Sequence, residues 1–121
     1  MEKKQLGDKG LMATCARKRA NHYAVGQRLH ESLAEIRRHQ ARIQQQKDHI
    51  EGLRDDLSRS QDTHEQAEIR NRIKESEEYI KELQSKIETE NADISLYERQ
   101  ISNIVRDFRE EGCHEYYPLE V

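Results

Sequence analysis

Apolar residues recur every seven positions along two long stretches of this chain. In the second stretch Ile73, Ile80, Ile87, Ile94, Ile101 and Phe108 form one row, with Ile69, Ser76, Leu83, Glu90, Tyr97 and Ile104 as its companion. Ten of these twelve positions are apolar or aromatic, at spacings that alternate between four and three. Such a pattern is the narrow stripe of a coiled-coil helix, which another helix must cover. In the first stretch Cys15, His22, Leu29, Ile36, Ile43, Ile50 and Leu57 also repeat at sevens. A companion row placed four residues later reads Gly26, Leu33, Gln40, Lys47 and Arg54, mostly polar. On that placement the first helix carries half a seam, and Val25, Leu53, Tyr79, Leu96 and Val105 fall outside the seam altogether.

The two repeats do not share a register. They are separated by Ser58-Arg59-Ser60-Gln61-Asp62-Thr63, polar and rich in residues that cap helices. Asp62 with Glu65, or Thr63 with Gln66, matches a capping box, a helix-start signal. A chain that folds back near residues 61–62 brings Ile50 to Ile73, Ile43 to Ile80, Ile36 to Ile87 and Leu29 to Ile94. The same register sets Gly26 against the ring of Tyr97 and Lys18 across from Asp107. Each isoleucine buried this way is worth about 1.5–3 kcal/mol, whereas a surface ion pair is worth ~0–1 kcal/mol.

The expected fold is therefore all-α, a long antiparallel helical hairpin of coiled-coil type. Dimerisation into a four-helix bundle would cover the apolar positions outside the seam. The rival topology is a parallel two-stranded dimer through Ile69–Phe108. The expected segments are a flexible start over residues 1–9, a first helix over 10–60 and a turn at 61–64. A second helix then covers 65–111, followed by an extended tail over 112–121 that holds Tyr116, Tyr117 and the only proline, Pro118. Gly112 is placed to cap the second helix.

Composition supports the elongated form. Hydrophobic residues make up 33% of the 121 and charged residues 37%, with no Trp and one Phe. That inventory does not fill a layered globular core, but it suffices for helices that each bury one stripe. Disorder is the competing reading of such a composition, yet it does not produce five isoleucines at strict sevens. Net charge is −3, unevenly spread. Residues 1–62 hold 13 Lys/Arg against 9 Asp/Glu, and residues 63–121 hold 8 against 15. The opposite signs suit two halves that pair with one another.

Two cysteines are too few for a disulfide framework, so the expected home is reducing and cytoplasmic, with Cys15 a buried thiol. No stretch reads as a signal peptide or a membrane span. Arg17, Lys18 and Arg19 form the one basic cluster. They point either to phosphate contact or to a solvated helix face, and the second reading is preferred because no nucleic-acid fold signature accompanies them. Cys15, His22, Cys113 and His114 have the ligand types for zinc without a metal-site spacing, so no metal and no cofactor are expected; a Cys15–Cys113 disulfide is left open, because it needs the two Cα atoms within about 7 Å. His30, His39, His49 and His64 read as exposed and unrelated.

The expected function is non-catalytic protein binding, as an adaptor, spacer or small inhibitor, with self-association. Tyr116, Tyr117, Pro118, Leu119 and Val121 are the candidate contacts, because aromatic and aliphatic anchors in a short tail suit docking. The alternative is a nucleic-acid-associated regulator that uses Arg17, Lys18 and Arg19. Enzyme chemistry is not expected, since paired helices offer no preorganised, water-excluding pocket.

Overall fold

A computed structural model describes residues 2–115, with side chains from Gly10 onward. The chain is a helical hairpin of α1 (Glu2–Arg59) and α2 (Thr63–Glu110), followed by a short 3-10 turn at Cys113–Glu115. No strand occurs among the described residues. Helix α1 starts well ahead of residue 10, where the first helix was expected to begin. The connection is only Ser60-Gln61-Asp62, shorter than the 61–64 stretch, and Cys113–Glu115 turn where an extended tail was expected.

Two sets of polar contacts replace the glycine or proline that such a turn lacks. Asp62 is the N-cap of α2. Its carbonyl accepts the first helical bond, from the Gln66 amide at 2.9 Å, and its Oδ1 accepts from the His64 amide at 3.1 Å. A short side-chain acceptor at this position satisfies amides that have no partner inside the helix. The Gln66 side chain reaches back, its Nε2 donating to the Ser60 carbonyl at 2.7 Å. One residue thus closes the end of α1 against the start of α2.

By contact the chain divides into two compact units, each pairing part of α1 with part of α2. One is Leu33–Asn91 and the other combines Met1–Ser32 with Ala92–Val121. In Leu33–Asn91 the interior is Ile36, Ile43, Ile50, Leu53, Ile69 and Leu83, with Leu83 fully buried. His39, at 7% exposure, and Ser76 are buried beside them. In the other unit Cys15, Phe108 and Cys113 form a buried cluster against which Leu11 and Val105 pack, and Val25 and Ser32 are also buried.

These burials correct the seam of α1. Its second row is Val25, Ser32, His39, Gln46 and Leu53, three residues after the first row and not four. Leu33 is 39% exposed, and Gln40, Lys47 and Arg54 face solvent. Both helices therefore bury stripes with the same three-then-four spacing, which lets the first row of one meet the second row of the other.

Two of the expected cross-helix neighbours differ. A Cβ built on Gly26 meets nothing within 4 Å, so no Tyr97 ring fills that space. Lys18 pairs with Glu111, one helical turn beyond Asp107, while Asp107 holds Arg106 at 3.4 Å.

Candidate binding surfaces

Within the unit that holds both termini, the end of α2 is shaped by Gly112. The Glu111 amide still bonds the Asp107 carbonyl at 3.0 Å, and the Gly112 amide bonds the Arg109 carbonyl at 3.1 Å. Gly112 then adopts φ = +76°, a left-handed conformation open to glycine and strained for other residues. The helix stops and the chain turns Cys113 toward α1. There Cys113 joins Cys15 in a disulfide that spans 98 residues of sequence, with a Cα–Cα distance of 5.3 Å. Both residues are fully buried, and Phe108 beside them is 1% exposed.

The expected buried thiol at Cys15 is thus half of a disulfide. With the two sulfurs bonded to each other, the Cys15, His22, Cys113 and His114 set offers no thiolate to a metal. No grouping of three potential ligand residues suited to a metal ion occurs among the described residues.

The basic cluster is partly engaged within its own unit. The Lys18 ammonium donates to Glu111, and the Arg19 guanidinium lies 5.4 Å from the centre of the Tyr23 ring, within range of a cation–π contact. Arg17 is exposed. The face of α1 that holds Arg19 also carries apolar side chains that the seam does not use. Met12 and Tyr23 are eleven residues apart, three helical turns, and are 43% and 52% exposed. On α2 of this unit Ile101 and Val105 line an open groove with Ser102, Arg106 and Arg109.

In Leu33–Asn91 the surface beside the seam is polar. Glu35, His39, Ser85, Lys86, Thr89 and Glu90 line an open groove. His39 Nε2 lies 3.8 Å from Glu35 Oε2, while His39 Nδ1 is buried with no hydrogen-bond partner. Arg54 Nη2 lies 3.5 Å from Glu77 Oε1 across the two helices. His49 and His64 are exposed, as is His30 in the other unit. His39 departs from the expectation for this set, because the shifted second row of α1 carries it into the seam.

Sequence reasoning singled out Arg17, Lys18 and Arg19, which the structure places on one end of α1. It also singled out Tyr116, Tyr117, Pro118, Leu119 and Val121, which lie outside the described residues. It missed Met12 and Tyr23, whose only signal was an eleven-residue spacing on one face. No helix among the described residues is long and apolar enough to cross a membrane. No family model, curated protein or solved structure matches the chain.

Proposed function

We propose that this chain is a non-catalytic protein-binding module, an adaptor, spacer or small inhibitor that presents helix faces to a larger partner. The observation that carries the reading is the pair Met12 and Tyr23, exposed on one face of α1 with Ala16, Arg19 and Ala20 between them. Large side chains held on a helix are preorganised anchors, and tyrosine is enriched among residues that dominate binding energy. A partner helix or shallow groove that accepts two anchors three turns apart suits them. Self-association belongs to the same proposal, with Leu96 at 48% exposure as a further apolar contact. The tail Tyr116, Tyr117, Pro118, Leu119 and Val121 adds chemistry of the same kind.

The test is affinity capture of the full chain from its native host, compared with Met12→Glu and Tyr23→Glu. Proteins retained by the parent and lost with both variants support the proposal. A set of retained proteins that neither change affects refutes it. Light scattering over a range of concentrations reads self-association directly.

The alternative, nucleic-acid association through Arg17, Lys18 and Arg19, has less support. Lys18 is paired with Glu111 and Arg19 lies over Tyr23. Affinity for duplex DNA or RNA that falls steeply with salt and disappears on triple replacement by Ala would reinstate it. A cytoplasmic home was inferred from the low cysteine count, and it is now tied to the redox state of Cys15 and Cys113.

A further inference from the structure

We infer that the Cys15–Cys113 disulfide is a redox-controlled latch on the end of α2. Closed, it holds the turn after Gly112 over an apolar cluster. Opened by a small dithiol or a glutathione-type thiol, it releases that turn and uncovers the cluster.

Four observations place the latch. The chain has two cysteines, and both are spent on this bond between residues near its opposite ends. Cys113 lies beyond the last turn of α2, past a glycine at φ = +76°, where the short 3-10 turn begins. The backbone bond from the Glu115 amide to the Gly112 carbonyl, within the turn itself, is a long one at 3.4 Å. Beneath the bond lies Phe108, the largest fully buried side chain, with Leu11 and Val105 packed against the same cluster. The covalent bond therefore ties the turn after α2 directly to α1, over a buried apolar cluster.

The chemistry is thiol–disulfide exchange. A reductant thiolate attacks the Cys113 sulfur, the S–S bond breaks, and Cys15 leaves as a thiolate that takes up a proton. A second reductant thiol attacks the mixed disulfide and releases Cys113, which is protonated in turn. Two electrons and two protons enter the protein, and the reductant leaves as its own disulfide. Both cysteines are fully buried, so attack follows local opening of the turn. Reoxidation reverses the steps, with oxidised glutathione as the acceptor. Loss of the tether leaves the Lys18–Glu111 contact, with side chains 26% and 41% exposed, as a weak surface restraint.

The experiment uses the full chain and compares its oxidised and dithiothreitol-reduced forms by alkylation and hydrogen exchange with mass spectrometry. Before reduction no alkyl group is taken up, and after it two are. On reduction the amides from Val105 to Glu115 exchange at least ~10-fold faster while those from Ile43 to Leu83 keep their protection, as expected for local opening. Oxidised glutathione restores the slow exchange. The double variant Cys15→Ser with Cys113→Ser shows the fast exchange without reductant, and if it fails to fold the reduced parent carries the test. Unchanged exchange after reduction overturns the proposal and makes the bond an inert staple. Simultaneous loss of protection along the whole chain overturns it too, as does a protein whose cysteines stay alkylatable after treatment with oxidised glutathione.

Discussion

Replacement of His39 by Leu should stabilise the protein. His39 sits in the second row of α1 at 7% exposure, and its Nδ1 is buried without a hydrogen-bond partner. An unsatisfied buried donor or acceptor costs about 1–3 kcal/mol, and replacing it with an apolar group of similar shape removes that cost. Leucine also adds a branched aliphatic side chain to a row whose apolar members are Val25 and Leu53. What is lost is the approach of Nε2 to Glu35 at 3.8 Å. That is beyond hydrogen-bond reach and involves a carboxylate 40% exposed, so its worth is under ~0.5 kcal/mol.

The net gain is about 2 kcal/mol. With an unfolding entropy near 2.1 cal/mol/K per residue, a chain of 121 residues converts that gain into a rise of about 8 °C in Tm. Urea denaturation followed by circular dichroism at pH 8 measures it, with His49→Leu as the control because His49 is exposed. The control should move by less than ~0.5 kcal/mol. Equal effects of the two substitutions, or a loss of stability with His39→Leu, would refute the placement of His39 in the seam. The register of the whole first helix would fall with it.

Three further outcomes follow from the same geometry. Leu83→Ala, at a fully buried position, should cost about 3 kcal/mol, whereas Leu33→Ala, at 39% exposure, should cost less than ~1 kcal/mol. Thermal melts of the two variants compare a true seam leucine with one that only the sequence pattern suggested. Asp62→Ala removes the acceptor for the His64 amide and should lower stability by about 1 kcal/mol in urea titrations. Gly112→Ala meets no atom within 4 Å but forces alanine into φ = +76°, a cost of about 1–2 kcal/mol, visible as faster exchange at Cys113 and His114 amides.

Much of the architecture was legible in the chain itself. A seven-residue apolar repeat identifies a helix and demands a covering partner, whatever the surroundings. The second helix was read at full strength because ten of its twelve seam positions are apolar or aromatic. Asp62 announced the turn and Gly112 the end of α2, because caps are local chemistry.

The second row of α1 was not legible. Three-residue and four-residue offsets from the first row are both mixed, since Val25, Ser32, His39, Gln46 and Leu53 compete with Gly26, Leu33, Gln40, Lys47 and Arg54. The choice between them depends on which flank of α1 meets α2, and that is a property of the packed pair. The level of each contact was decided in the same way. Lys18 finds Glu111 and Cys15 finds Cys113 only where the end of α2 comes to lie beside α1. The disulfide was an open alternative in the sequence, since two cysteines 98 residues apart become neighbours only once the hairpin is closed and Gly112 has turned the chain. Local propensity fixed where helices begin, end and expose an apolar stripe, and the meeting of those stripes alone determined which distant residues touch.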